Sequence, residues 1–145
     1  MKLIFKKICI ASDHAGFKLK EKIKDFLIKK NVSLIDLGPF KTDSVDYPLY
    51  AKKVANRVKT KKSDVGILVC GSGTGMAISA NKIKGIRAAV CYNKKSTSLS
   101  RQHNNANIIA MGSRITKKGD AIKLVSLFLK TKFQGGRHLR RIRKI

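Results

Sequence analysis

Five short apolar runs, alternating with stretches of three- and four-residue hydrophobic spacing, leave this chain few ways to fold. The runs are 7–11 (KICIA), 32–37 (VSLIDL), 65–70 (VGILVC), 87–91 (RAAVC) and 107–111 (NIIAM). They are short, rich in β-branched residues and bounded by turn formers, as strands buried on both faces of a sheet are. Between them Ala15, Leu19, Ile23, Phe26 and Leu27 share one helical face. Ala51, Val54, Ala55 and Val58 repeat the pattern, as do Met76, Ala80 and Ile83, and then Ala121, Val125, Phe128 and Leu129. Strict alternation of this kind implies parallel strands joined by right-handed crossovers. The expected fold is α/β, a Rossmann-like three-layer arrangement around a five-stranded parallel sheet. One domain over 1–145, ending in a basic tail at 135–145, accommodates all of it.

Charge raises a competing possibility. Thirty-three Lys and Arg against eight Asp and Glu give a formal +25, a balance often found in proteins that bind nucleic acid. The lysines, however, are distributed in pairs along the whole chain, and six Phe and three Tyr are too few to interleave a basic stripe. No RNA-binding motif accompanies them, so a basic nucleotide- or RNA-binding module stands as the alternative from another class. No apolar run approaches the roughly 20 residues that span a bilayer, and MKLIFKK breaks into lysine too soon for an export signal. A cytoplasmic protein without membrane contact is expected. Its three cysteines, Cys9, Cys70 and Cys91, are expected to be free thiols, with neither a disulfide nor a metal site.

Ligands of open α/β sheets bind beyond the carboxyl ends of the strands. That rule selects the loops Ser12–Gly16, Asp43–Pro48, Gly71–Gly75 and Gly112–Arg114, where polar residues collect. GSGTG at 71–75, between a strand and a helix, offers a run of unobstructed amides to an anion. It lacks both the Lys-Ser/Thr of a P-loop and an acidic residue some 20 positions on, so neither a nucleotide triphosphate nor NAD is favoured. Cys70 directly precedes this loop. Its position suits a reactive thiolate, and equally suits the last buried residue of a strand, as Cys9 and Cys91 are read. Of the three histidines, His14 lies in a loop at the binding edge, His103 in the polar run RQHNNAN, and His138 in the tail.

Taken together, SDHAGFKLK, DYP at 46–48, CGSGTGMAISANKIKGIRAAVC from Cys70, LSRQHNNANIIAMGSR from Leu99 and GGRHLRRI from Gly135 closely resemble the ribose-5-phosphate isomerase B family. Allose-6-phosphate and galactose-6-phosphate isomerases are its relatives. The resemblance runs through nearly the whole chain in order. It implies interconversion of an aldose phosphate and its ketose through a cis-enediolate, with no metal and no cofactor, in the pentose phosphate pathway. Cys70 is implied as the base at C2, the Gly71, Gly73, Thr74 and Gly75 amides as the cradle of the enediolate oxygen, and Ser72 as a hydroxyl beside a reacting oxygen. His103 is implied to open the furanose ring. Asp13, His14, Tyr47 and Asn104 match residues lining the sugar, and His14, Arg114, Arg137 and Arg141 match the phosphate site.

Two departures within the family are informative. One branch replaces the cysteine by a glutamate six positions further on, where this chain has Met76, which carries no proton. The galactose-6-phosphate subunits tend to lose the histidine of DHAG and the cysteine, and this chain keeps both His14 and Cys70. Ribose 5-phosphate is therefore the expected substrate, with allose 6-phosphate or another hexose phosphate as the alternative. A crossover helix returns to the amino edge of the sheet, so His103 and Asn104 are expected a sheet's length from Cys70. A homodimer, alone or within a tetramer, would bring them together in shared sites.

Overall fold

The computed structural model describes residues 2–145. Its strands are β1 (Lys7–Ser12), β2 (Ser33–Asp36), β3 (Val65–Cys70), β4 (Ala88–Val90) and β5 (Ile108–Gly112). The helices are α1 (Phe17–Ile28), α2 (Tyr47–Lys59), α3 (Thr74–Asn81), α4 (Lys94–Gln102), α5 (Lys118–Lys130) and α6 (Arg137–Ile142). All strands are parallel, in the order β2-β1-β3-β5-β4. The α/β fold and the five-stranded sheet expected from the alternation are both present.

Side chains alternate across the sheet and split the core in two. Ile8, Ile10, Val65, Ile67, Val69, Ile109 and Met111 face α1 and α5, packing on Leu19, Ile23, Leu27, Val125 and Phe128. Cys9, Ala11, Leu68, Cys70, Ile108 and Ala110 face α2 and α3, packing on Val54, Ala55, Val58, Met76 and Ala80. The small residues Ala51, Ala55, Ala77 and Ala80 let α2 and α3 lie close to the strands. Gly66 has the same effect from the sheet side, since a Cβ there would collide with the Val54 side chain.

Three details differ from the periodicity. β4 is only three residues long and stops short of Cys91, because it sits at the sheet edge with one paired neighbour. Helix α3 ends at Asn81, so Ile83 packs from the turn beyond it rather than from the helix. The basic tail is not a simple extension: Gly135 and Gly136, both at positive φ, turn the chain into α6. Six residues make under two turns, too few for a hydrophobic period to register.

Candidate active site

At the carboxyl edge four loops are stitched to one another by main-chain bonds. The Ser12 amide donates to Gly38 O (3.0 Å) and the Asp13 amide to Val69 O (3.1 Å), while Ser113 N reaches Cys70 O (2.8 Å) and Arg114 N reaches Gly71 O (3.0 Å). The Ser113 hydroxyl adds a bond to Ala15 O, at 2.9 Å. Loops normally the most mobile part of such a fold are here tied across β1, β2, β3 and β5.

The turn after β3 is built by glycine where nothing else fits. Gly73 caps α3 at φ +82, and a Cβ there would lie 2.9 Å from the Met111 carbonyl carbon. Gly75 supports the Tyr47 ring, 2.6 Å from where a Cβ would be, and Gly71 underlies the Arg114 guanidinium, whose Nη1 would be 2.8 Å from one. An extra methyl at Gly75 or Gly71 would therefore displace a side chain expected in the site, and one at Gly73 would collide with the backbone of β5. The tight turn also brings the Gly73 N–H to 3.0 Å from Cys70 Sγ, with the thiol buried. An amide aimed at sulfur is a partner for developing negative charge. The Ser72 hydroxyl accepts from Thr74 N (3.3 Å) at the exposed lip of the loop.

Asp13 is buried, and its Oδ1 accepts the Gly16 amide at 2.8 Å, fixing the turn into α1. The neighbouring His14 is exposed, and its Nδ1 accepts the Val45 amide at 3.2 Å. This leaves Nε2–H as the free donor, suited to an anionic ligand. Arg114 is exposed and in no ion pair among the described residues, so its charge is available.

The remaining expected residues gather at the opposite edge. His103 caps the end of α4, and four residues later Asn107 O accepts the amide of Gly66, near the start of β3. Cys70 is four residues further along that strand, about 13 Å away at 3.3 Å per residue. Asn104 is exposed beside His103, and its carbonyl accepts Arg87 Nε (3.0 Å). The tail folds onto this corner: Gln134 N donates to Gln102 O (3.1 Å), and the His138 ring stacks on His103 with centroids 4.2 Å apart and planes 12° from parallel. Arg137 and Arg141, exposed on α6, lie at the same edge as His103. Within one chain the structure thus brings together Asp13, His14, Tyr47, Cys70, Gly71, Ser72, Gly73, Thr74, Gly75 and Arg114, and separates them from His103, Asn104, Arg137 and Arg141.

His138 was not among the candidates, although it touches one of them. Its only sequence signal is its place beside Arg137. Burial, His103 and the flanking Arg137 and Arg141 together push its pKa down. Among the described residues no three His, Cys, Asp or Glu side chains converge as metal ligands would. No helix among them is long and apolar enough to cross a membrane.

Comparison with known proteins bears on this arrangement directly. The sequence pattern of the ribose/galactose isomerase family matches residues 8–145. A probable ribose-5-phosphate isomerase B of Mycoplasma genitalium is 47% identical over 140 residues, covering 95% of this chain and 92% of the relative. The crystal structure of a ribose 5-phosphate isomerase from Thermotoga maritima superposes with a TM-score of 0.94 at 50% identity, covering 96% of each chain. A structure of the Mycoplasma genitalium isomerase with bound ribulose 5-phosphate gives a TM-score of 0.91 at 47% identity, over 94% of this chain and 91% of that one.

Proposed function

This chain belongs to the ribose/galactose isomerase family, and from that premise we propose that it interconverts ribose 5-phosphate and ribulose 5-phosphate with Cys70 as the base. The observation that carries the assignment is the Cys70 sulfur held by the Gly73 amide at the floor of the glycine loop. The thiolate removes the proton from C2, the C–H electron pair forms the C1–C2 double bond, and negative charge moves onto O1. Amides of Gly71, Gly73, Thr74 and Gly75 hold that oxygen, which is where preorganised donors contribute most. The thiol then returns its proton to C1, and the hydroxyl proton passes from O2 to O1 as the C2 carbonyl forms. Atoms and electrons balance within the substrate, so no redox partner or cofactor is required.

Asp13, His14 and Tyr47 line the sugar, the Ser72 hydroxyl stands beside a reacting oxygen, and His14 Nε2–H and Arg114 take part of the phosphate charge. His103, Asn104, Arg137 and Arg141 stand at the wrong edge to serve the Cys70 of their own chain. In a two-fold dimer, His103 of one copy opens the furanose ring at the Cys70 site of the other, Asn104 lines that sugar, and the two arginines complete its phosphate site. Such an enzyme works in the cytoplasm, where phosphorylated sugars are retained.

Retention of both His14 and Cys70 supports a pentose phosphate substrate. The test is kcat/KM on ribose 5-phosphate against allose 6-phosphate, with ribose 5-phosphate expected to be preferred. Preference for allose 6-phosphate would transfer the assignment to hexose phosphates, and no turnover of either would remove it.

A further inference from the structure

The catalytic reading leaves much of the positive charge unused, and part of it is built into a cavity. At the amino edge of the sheet a hollow of about 380 Å³ is lined by Phe5, Lys59, Lys61, Asp64, Arg87, Arg101, Asn105 and their neighbours. None of His103, Asn104, Arg137, His138 or Arg141 lines it. It faces away from Cys70, at the end of the sheet where β1, β3 and β5 begin.

Four cations therefore surround this space against one acid, Asp64, whose Oδ2 accepts the amides of Lys6 (2.9 Å) and Lys7 (2.8 Å) and which, among the described residues, forms an ion pair with none of the four, so the lining carries a net excess of positive charge. Arg101 is 4% exposed, yet among the described residues no carboxylate pairs with it. Its Nε donates to Thr131 O and its Nη1 to Asn105 Oδ1 and Ala106 O, while the guanidinium lies over the Phe5 and Phe128 rings. Nη2 is left over. Arg87, also without a carboxylate, gives Nε and Nη2 to the carbonyls of Asn104 and Asn105 and leaves Nη1 over. Burial, joined by the like charge of Arg87, pulls Arg101 down to about 10.

Two guanidinium groups repelling each other in a half-enclosed space are costly unless a counter-charge is supplied. The backbone here is unusual as well, since Lys61 (φ 63), Gly85 (φ 90) and Asn105 (φ 46), all lining the cavity, sit at positive φ. Neutral acceptors take most of the donors of the two arginines but leave their charge, and the remaining Nη group of each, Nη2 of Arg101 and Nη1 of Arg87, offers charge-assisted donors that suit the several oxygens of a phosphate better than a chloride.

We propose that this amino-edge cavity is a second anion site, separate from the sugar-phosphate site, that takes inorganic phosphate or the phosphate of a small phosphomonoester. Arg101 and Arg87 form its fixed wall, and Lys59 and Lys61 close over it from the surface.

The test is a titration of ¹⁵N-labelled protein at constant ionic strength, read at assigned amides, with inorganic phosphate in one arm and glycerol 3-phosphate in another. Amides of Lys61, Gly85 and Asn105 should shift and saturate on a curve distinct from that of Gly71–Gly75. Tighter saturation by glycerol 3-phosphate would identify an esterified ligand, and tighter saturation by phosphate the free ion. Replacing both exposed lysines (Lys59→Gln with Lys61→Asn, the latter tolerant of positive φ) should weaken the amino-edge curve at least about tenfold and leave the glycine-loop curve in place. The proposal is overturned if those three amides do not move at concentrations that saturate the glycine loop. Equal shifts with sodium chloride, or unchanged affinity in the double variant, would overturn it as well.

Discussion

Three thiols of one chain occupy three electrostatic settings, and only one of them suits chemistry. Burial pushes Cys9 up to about 11, and its Sγ points at the carbonyls of Val54 and Val65, which repel a thiolate. Burial likewise raises Cys91. Cys70 instead accepts an amide at the start of a helix. Brief treatment with iodoacetamide at pH 8 should therefore alkylate Cys70 alone, with phosphate or ribose 5-phosphate protecting it, as peptide mass spectrometry can establish. Cys70→Ala should lose turnover by roughly 10³-fold or more while binding substrate and folding normally. Robust turnover by the folded variant would remove the thiolate from the mechanism. A matching split is expected for His103→Asn, which should slow a cyclic substrate far more than an open-chain one. Equal losses would mean that His103 acts in the proton transfer or only positions the sugar. Cys70 and its loop were legible because strand, thiol and glycines are contiguous in sequence. The stacking of His138 on His103, and the Arg87 and Arg101 cavity, were not, because they depend on how α6 and the turn after α4 fold back through space.

At the scale of elements, α1 shows how a helix can orient a neighbouring loop. Lys20, fully buried, donates from Nζ to both Asp36 oxygens and to Pro39 O, and lies near the Phe17 and Phe40 rings. Lys24 adds a second cation, 2.7 Å from Asp36 Oδ2. Burial alone would raise the Asp36 carboxyl, but hydrogen bonds from Lys20, Lys24 and the Gly38 amide outweigh it and hold the group low. A lowered carboxylate stabilises the fold above its unfolded value near 3.9 and loses that contribution as pH falls through the folded value. Lys20→Met should therefore cost about 2 kcal/mol at pH 7 by urea unfolding, the scale of lost hydrogen bonds to a charged group, since Lys24 still pairs with Asp36. The gap from the wild type should narrow below about pH 4; a constant gap from pH 7 to 3 would show that packing, not charge, is what Lys20 supplies. The identity of these elements was readable from periodicity, since buried strands and amphipathic helices alternate with few exceptions. Their order in the sheet was not: inserting β5 between β3 and β4 leaves the linear pattern unchanged. The buried role of Lys20 was equally hidden, because a lysine on an amphipathic helix reads as solvated.

On the proposed reading the whole molecule presents half of a site at each end of its sheet, and one copy alone would leave the two halves apart. Cys70 is at the carboxyl end of β3, whereas the turn carrying His103 meets that strand at Gly66, and between them β3 is paired on both sides, with β1 and β5. The proposed two-fold dimer would close the gap twice over, because an interface that delivers one His103 to the other Cys70 must also do the reverse. Mixing inactive Cys70→Ala with inactive His103→Asn under conditions that exchange subunits should then restore activity. With equal amounts and random exchange, half the dimers are mixed. In each of those, one site has both wild-type groups and the other has neither, so about a quarter of wild-type activity is expected by counting sites. The measurement is initial rate against time of mixing, with the mixed species followed by native mass spectrometry. If exchange is complete and the rate stays at zero, Cys70 and His103 of the same chain must work together, and the turn after α4 would have to move the length of the sheet to allow it.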